Sequence, residues 1–414
     1  MAPPLFGLIE GFYGPPWTWE DRLGLGRWCG ERGMRLYLYA PKDDPKHRER
    51  WADPYDADEL AAFERFATDG SLDLGFAISP GLSIDGDSSD DRARLAAKVD
   101  QIVAVGATHV SLCLDDIPFG GGPQGEAHAR LTTWLRDHLG DRASLSLIPT
   151  EYVGIRSTPH LDALAAGVPD DVPIGWTGRA VVNDTITVAD ARARAESLGG
   201  RKPLLWDNYP VNDAVMADRL FVGPLRGREP GLVDELSGYV ANPMVQPTAN
   251  RLPLASIAAF LRGDDPDTAW RETAADLGWL AFASACDTAQ ARDAVASGDL
   301  TRMRSLFTDA ASCGAPGLED EAAPWLEQIH RDAKLALKAL DVLDGERGVN
   351  EVLGLAGRWQ RSRRAEVVVF GPRCSIRPVL GQADDGTWRV EPEAVSADQN
   401  AIDDLVRLAL TSLP

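Results

Sequence analysis

Short apolar runs at 5–11, 36–40, 72–79, 108–114, 144–149, 174–177, 203–206 and 238–241 alternate along the chain with longer stretches of helical spacing. Each run is nearly continuous in apolar character, the pattern of a strand buried on both faces. Between the runs, Leu60, Phe63 and Ala67 fall on one helical face, and so do Leu95, Val99, Ile102 and Val103. Thr187-Val-Ala-Asp190 has the form of a capping box opening a helix through Leu198, with Gly199-Gly200 as its stop. Such alternation predicts a parallel sheet with helices packed over it. Eight units in about 260 residues count out to a (β/α)8 TIM barrel of the α/β class. The competing arrangement, a doubly wound open sheet, calls for a glycine-rich first turn, and Gly11-Phe-Tyr-Gly14 lacks the GxGxxG spacing.

Past residue 263 the pattern changes. Stretches 269–285 and 325–340 show helical spacing, the second through Trp325, Ile329, Ala333, Ala336, Leu337 and Leu340. Further on, Glu366-Val-Val-Val-Phe370 and Trp388-Arg-Val390 read as short strands around Asp384-Asp-Gly386, before a last helix near 398–410. The expected organisation is a barrel at 1–263, a mainly helical domain at 264–345, and a small mixed α/β extension with a short β segment at 346–414. Packing against the barrel or against a second copy of the chain, as a homodimer, is the default reading of that extension.

Composition narrows the function classes. The chain has 414 residues, 44% of them hydrophobic and 25% charged, an ordinary globular balance with ample core. Its net charge of −21 argues against nucleic acid or an anionic membrane surface as partner. Lysine is rare, limited to Lys42, Lys46, Lys98, Lys202, Lys334 and Lys338, so a lysine in a motif suggests a use for its compact ammonium. Five scattered cysteines without CxxC spacing predict neither a disulfide framework nor a zinc site, and favour a reducing compartment. The N-terminus carries no signal-like basic and apolar regions, and no run of about 18 apolar residues occurs. The expectation is a cytoplasmic protein that does not span a membrane.

In a barrel of this kind, function sits at the C-terminal ends of the strands. There the sequence places Glu10-Gly-Phe-Tyr13 with Trp17, Tyr39-Ala-Pro-Lys42-Asp43-Asp44, Ser79-Pro-Gly81, Asp115-Asp116, Pro149-Thr-Glu-Tyr152, Trp176-Thr177-Gly178, Trp206-Asp207-Asn208 with Asp213, and Asn242. The pair in Leu114-Asp-Asp-Ile117 is the sharpest. Carboxylates at a buried strand end must be paired, hydrated or used, and adjacent like charges push their pKa values apart into an acid and a base. The plain alternative is a pair of solvated turn acids. Asp43, Asp44 and Glu151 suit structural roles, and His47 a structural hydrogen bond. Aromatics flanking amides and carboxylates suit a sugar, whose CH-rich faces stack and whose hydroxyls need donors and acceptors. Gly120-Gly121-Gly122 lacks a following Lys-Ser/Thr and reads as a loop, not a phosphate cradle. No HExxH or carboxylate–histidine cluster suggests a metal, and no cofactor is expected.

Taken in order, Gly7-Leu-Ile-Glu-Gly-Phe-Tyr-Gly-Pro-Pro-Trp17, Tyr39-Ala-Pro-Lys-Asp-Asp44, Ser79-Pro-Gly81, Leu114-Asp-Asp-Ile117, Pro149-Thr-Glu-Tyr152, Trp176-Thr-Gly178 and Trp206-Asp-Asn208 resemble glycoside hydrolase family 84. That family contains O-GlcNAcases, bacterial β-N-acetylglucosaminidases and proteins once called hyaluronidases, and the resemblance runs from about residue 5 to 262. It implies a retaining exo-hydrolase of β-linked N-acetylglucosamine (GlcNAc) on glycoproteins or small glycosides. The nucleophile would be the substrate's own acetamido oxygen, with an oxazoline intermediate, outside the usual two-carboxylate scheme. The resemblance implies that Asp115 orients and polarises the acetamido N–H. It implies that Asp116 protonates the leaving oxygen and later deprotonates water. The Gly11 carbonyl, Lys42, Asp213 and Asn242 would hold sugar hydroxyls. Tyr152 and Asn208 would lie around the acetamide and the reacting centre, while Thr177, Val181 and Trp206 would line the acetamido pocket.

The chain departs from many bacterial relatives, which carry a mixed α/β domain before the barrel and accessory sugar-binding modules. Two other function classes stand beside the hydrolase. One is a catalytically silent GlcNAc-binding barrel, which loss of either aspartate would favour. The other is an interaction scaffold working through 266–414.

Overall fold

The computed structural model describes residues 5–287, 289–345, 349–362, 367–370, 380–382, 388–390 and 400–411. Eight strands come first: β1 (Leu5–Glu10), β2 (Leu36–Tyr39), β3 (Asp73–Ile78), β4 (His109–Cys113), β5 (Ser144–Ile148), β6 (Gly175–Trp176), β7 (Leu204–Asp207) and β8 (Gly238–Ala241). They alternate with α1 (Trp19–Gly30), α2 (Ala57–Asp69), α3 (Ser89–Ala104), α4 (Gly121–Leu139), α5 (Pro159–Gly167) and α6 (Val188–Ser197), and α7 (Arg251–Arg262) follows β8. The strands pair in parallel in the order β5-β4-β3-β2-β1-β8-β7-β6. A parallel bridge between Leu147 and Ile174 joins the two ends of that order. The expected barrel is therefore the observed one. β6 is shorter than its apolar run, because Thr177 leaves the ladder and donates its amide to the Tyr152 carbonyl.

Strand alternation splits the core in two. Ile9, Leu36, Leu38, Ala77, Cys113, Ile148, Leu204, Trp206 and Val240 form the smaller cluster, inside the barrel. Leu8, Tyr37, Phe76, Val110, Leu147 and Tyr239 belong to the larger cluster, shared with the helices. The capping box at Thr187 is present, with Asp190 returning the bond, and α6 ends one residue short of the expected Leu198.

The chain continues through α8 (Pro266–Asp276), α9 (Leu280–Cys286), α10 (Ala289–Ser297), α11 (Leu300–Ala311), α12 (Ala323–Leu343) and α13 (Val349–Ser362). β9 (Leu380–Gln382) and β10 (Trp388–Val390) pair antiparallel, and α14 (Ala401–Thr411) closes the described chain. The helical spacing expected at 269–285 is present, divided between α8 and α9 by Gly278 at φ +71°, a left-handed stop that glycine adopts without strain. One expectation is corrected. Val367–Phe370 is not a strand; Val368 donates instead to the Asp218 carbonyl and Phe370 to that of Ala285, docking the segment on its surroundings. Glu366 and the turn at Asp384-Asp-Gly386 lie outside the described residues. Among the described residues no helix is long and apolar enough to cross a membrane. Cys29, Cys113, Cys286 and Cys313 are free thiols, and Cys374 lies outside the described residues.

Candidate active site

The two aspartates pose a geometric problem that the backbone solves. Neighbouring side chains of a strand point to opposite faces. The ladder beyond β4 stops at Leu114, whose amide still bonds the Ile148 carbonyl and whose own carbonyl accepts from Thr150. Asp116 then turns left-handed, at φ +52°. A non-glycine residue there costs about 1–3 kcal/mol, and such strain collects at working sites. The turn brings both carboxyl groups to one cavity of about 300 Å3 at the C-terminal mouth of the barrel.

Lys42, after β2, has only 3% of its side chain exposed and places its ammonium 2.6 Å from Asp115 Oδ2 and 3.8 Å from Asp116 Oδ2. Burial opposes that charge, but the two carboxylates outweigh it and hold the Lys42 pKa above the ordinary lysine range. Tyr13 donates to Asp116 Oδ2 at 3.0 Å and Tyr152 to Oδ1 at 2.9 Å. Burial, then the Asp116 charge, pushes the Tyr13 phenol up to about 12 and the Tyr152 phenol higher still, so both remain donors at neutral pH. Asp115 differs from its neighbour. Lys42 occupies Oδ2, while Oδ1 is buried without a hydrogen-bond partner. A buried, unpaired carboxylate oxygen is an acceptor prepared for a donor that the protein does not supply.

The remaining walls are tied together. A Cβ on Gly11 would lie 2.4 Å from Trp206 Cζ2, so only glycine lets the backbone approach the indole. The Trp206 Nε1 and Asn242 Nδ2 both donate to Asn208 Oδ1, at 3.0 and 2.9 Å, and Asn208 Nδ2 donates to the Val181 carbonyl at 2.7 Å. Asn242 Oδ1 accepts from the Gly11 amide at 3.2 Å. Thr177 donates to the Ala180 carbonyl at 3.0 Å, shaping the loop that carries Val181. Asp213 Oδ2 accepts the Tyr13 amide at 2.7 Å, and burial raises the Asp213 carboxyl pKa. The next residue, Ala214, is also left-handed at φ +48°.

Thus Gly11, Lys42, Asp115, Asp116, Tyr152, Thr177, Val181, Trp206, Asn208, Asp213 and Asn242 all line this one cavity. Other polar residues at strand ends do not. Glu10 is fully buried against Arg22, whose Nε and Nη2 each donate at 2.8 Å, and against Tyr37. Asp44 accepts from Tyr39 and Tyr55, and Asp207 pairs with Arg228 through both oxygens. Glu151 accepts from Thr158, while its carbonyl takes the Arg194 guanidinium. His47 bonds the Ala77 carbonyl, and burial lowers its pKa to about 3, so it stays neutral. Ser79 donates its amide to the His47 carbonyl. Among the described residues no group of three or more His, Cys, Asp or Glu is placed to hold a metal ion.

Sequence reasoning missed the apolar rim of Val182, Val211, Val215 and Met216, which carries no motif, and it missed Arg48, whose guanidinium donates to the Asp116 main-chain carbonyl at 2.9 Å. Tyr13 was visible in its motif but had no assigned contact. A second cavity of about 340 Å3 shares the wall of Val182, Asn208, Val211 and Met216. Two of its arginines, Arg226 and Arg228, are already paired, with Asp287 and Asp207.

The first cavity can surround one pyranose ring with donors and acceptors, a carboxylate pair and an aromatic wall. Residues 6–291 match the family model described as beta-N-acetylglucosaminidase. The chain is 31% identical over 277 residues to the protein O-GlcNAcases of Rattus norvegicus and Mus musculus, an alignment covering 63% of this chain and 30% of each of those proteins. It therefore spans less than a third of the length of those curated relatives. Among solved structures it is similar to an aspartate-to-asparagine mutant of the O-GlcNAc hydrolase of Thermobaculum terrenum, with TM-score 0.78, 23% identity, and 98% of this chain and 94% of that chain covered. It is also similar to CpGH84B, with TM-score 0.81, 22% identity, and 97% and 76% covered. At these identities the structural likeness is one of fold.

Proposed function

The chain belongs to the β-N-acetylglucosaminidase family, and on that footing we propose that it is a retaining exo-hydrolase of terminal β-linked GlcNAc that works by substrate-assisted catalysis. The observation that carries this reading is Asp115: one oxygen on Lys42, the other buried and unpaired. An acetamido N–H is the donor that oxygen lacks. In the first step the acetamido oxygen bonds to C1, the glycosidic C1–O bond breaks, and Asp116 gives its proton to the departing oxygen. Asp115 holds the N–H and balances the positive charge that develops on the oxazoline. In the second step water attacks C1 as Asp116 takes its proton, and the C1–O bond of the oxazoline opens to restore the acetamide. An intramolecular nucleophile needs positioning more than activation, which is why two carboxylates suffice without a third as nucleophile.

The other assignments follow the walls of the cavity. Lys42, Asp213, Asn242 and the Gly11 carbonyl serve the hydroxyls. Trp206, Thr177 and Val181 enclose the acetamido methyl, with Asn208 holding Trp206 and Val181 in place. Tyr152 and Tyr13 steer Asp116. Residues 1–263 form the catalytic unit, supported by 264–345 and 346–414. The free thiols at Cys29, Cys113, Cys286 and Cys313 support a reducing, cytoplasmic setting.

The test is proton NMR of an aryl β-N-acetylglucosaminide during hydrolysis. Two displacements at C1 release the β-hemiacetal first. Initial release of the α-anomer, or no hydrolysis, overturns the reading.

A further inference from the structure

We propose that Arg48 is a positioning residue for the reaction: it holds Asp116 in the left-handed turn that aims its carboxyl into the pocket. The proposal rests on the reading of Asp116 as acid and base.

Arg48 lies outside the cavity wall, in the turn after β2. That turn is latched to the end of β3, through the His47 ring on the Ala77 carbonyl at 2.9 Å and the Ser79 amide on the His47 carbonyl at 2.9 Å. From this fixed base the Arg48 Nη2 donates to the Asp116 main-chain carbonyl at 2.9 Å. The carbonyl of a left-handed residue at a strand end has left the ladder and needs a partner from elsewhere. The guanidinium supplies it, across 68 residues of sequence. Its second arm is not used in the same way. Nη1 is buried without a hydrogen-bond partner and stands 4.0 Å from Asp116 Oδ2. One planar fork therefore meets both the main chain and the carboxyl group of a single residue.

The other groups facing Asp116 define what Arg48 adds. Tyr13, from the segment after β1, and Tyr152, from that after β5, donate to its two oxygens. Lys42 lies 3.8 Å away but is closer to Asp115. Asp115 beside it in the chain and Asp213 after β7 add negative charge. Lys42 is thus shared between two carboxylates, whereas Arg48 meets both the main-chain carbonyl and the carboxyl group of Asp116. Loss of its hydrogen bond frees the turn.

The experiment compares wild type, Arg48→Gln and Arg48→Lys on GlcNAc glycosides with alkyl and dinitrophenyl leaving groups, with kcat and KM determined separately. For Arg48→Gln the expected result is a fall of roughly tenfold or more in kcat/KM on the alkyl glycoside, which needs a well-aimed acid. On the dinitrophenyl glycoside kcat and KM fall together, because base-assisted breakdown of the intermediate becomes limiting. Arg48→Lys keeps the charge, but one ammonium cannot serve both the carbonyl and the carboxylate, so the alkyl rate stays below wild type. Wild-type rates in both variants overturn the proposal. So does a uniform loss in Arg48→Gln that ignores leaving group. If Arg48→Gln fails to fold, Arg48→Lys decides alone, and an unchanged alkyl rate overturns the idea. An inactive wild type refutes the hydrolase reading instead, which keeps the two failures apart.

Discussion

At the scale of single residues, the aspartates share a pocket but not an environment. Asp116 accepts from two phenols and stands open toward the mouth, with its side chain 31% exposed, while Asp115 is enclosed with Lys42. Their substitutions should separate accordingly. Asp116→Asn removes the proton donor, so kcat/KM on an alkyl glycoside should fall by about 10²–10⁴ while a dinitrophenyl glycoside, whose leaving group departs unprotonated, is spared in the first step. Asp115→Asn should slow oxazoline formation for every leaving group and weaken binding of a thiazoline mimic of that intermediate. Identical leaving-group dependence in the two variants would contradict the division of roles. The pair was legible in the sequence because an apolar run ending in two carboxylates is costly without a use. The partners of Asp116 were not equally legible. Tyr13 and Tyr152 sit in motifs that draw attention, but Arg48 acts on a main-chain carbonyl, and such a contact leaves no trace in residue spacing.

At the scale of elements, the strand ends do two kinds of work. Alternation sends Glu10, Asp207 and the phenols of Tyr37 and Tyr239 outward, into buried networks that fasten helices and loops to the barrel. It sends Gly11 and Trp206 inward to the cavity. Reading the strand ends as one chemical inventory mixes these classes, since composition does not reveal parity until the register is known. Gly11 gives a test at this scale. Gly11→Ala drives a methyl into the Trp206 ring, which is tethered through Asn208 and cannot swing away without moving Asn242. Overpacking of this kind costs about 1–3 kcal/mol. The expected outcome is a lowered Tm with a larger loss of kcat/KM, and wild-type kinetics would show that this wall is softer than described. The helices were legible where caps are local, as at Thr187 and Asp190. The break at Gly278 was not, because apolar spacing continues across it and one glycine carries the interruption.

At the scale of the whole molecule, the helical region braces the barrel. Trp270 donates to the Val222 carbonyl, Trp325 to that of Asp218, and Glu321 accepts the amides of Thr248 and Ala249. The described residues that line the cavity end at Asn242, so these contacts support the site without entering it. One titration belongs to this scale. Asp332 on α12 is pushed up to about 6, chiefly by burial and further by the charge of Asp403 on α14, against the lowering effect of Gln328. Its folded pKa lies above the unfolded value, so the folded state holds this proton more firmly. Stability from this group is fully present below about pH 4 and declines as pH rises through about 6. Asp332→Asn should therefore raise Tm at pH 7.5, by up to about 2 kcal/mol in stability, and change little at pH 4; a variant equally shifted at both pH values would refute the assignment. The barrel was legible as a whole because eight similar units repeat, whereas the C-terminal region lacks any repeat to count, and its assembly depends on long-range contacts. The central claim, that the substrate supplies its own nucleophile, is tested most directly by kcat/KM for a nitrophenyl β-N-acetylglucosaminide beside the same aryl β-glucoside, which lacks the acetamido group. The account predicts hydrolysis of the first and no turnover of the second above background, and comparable turnover of both would contradict it.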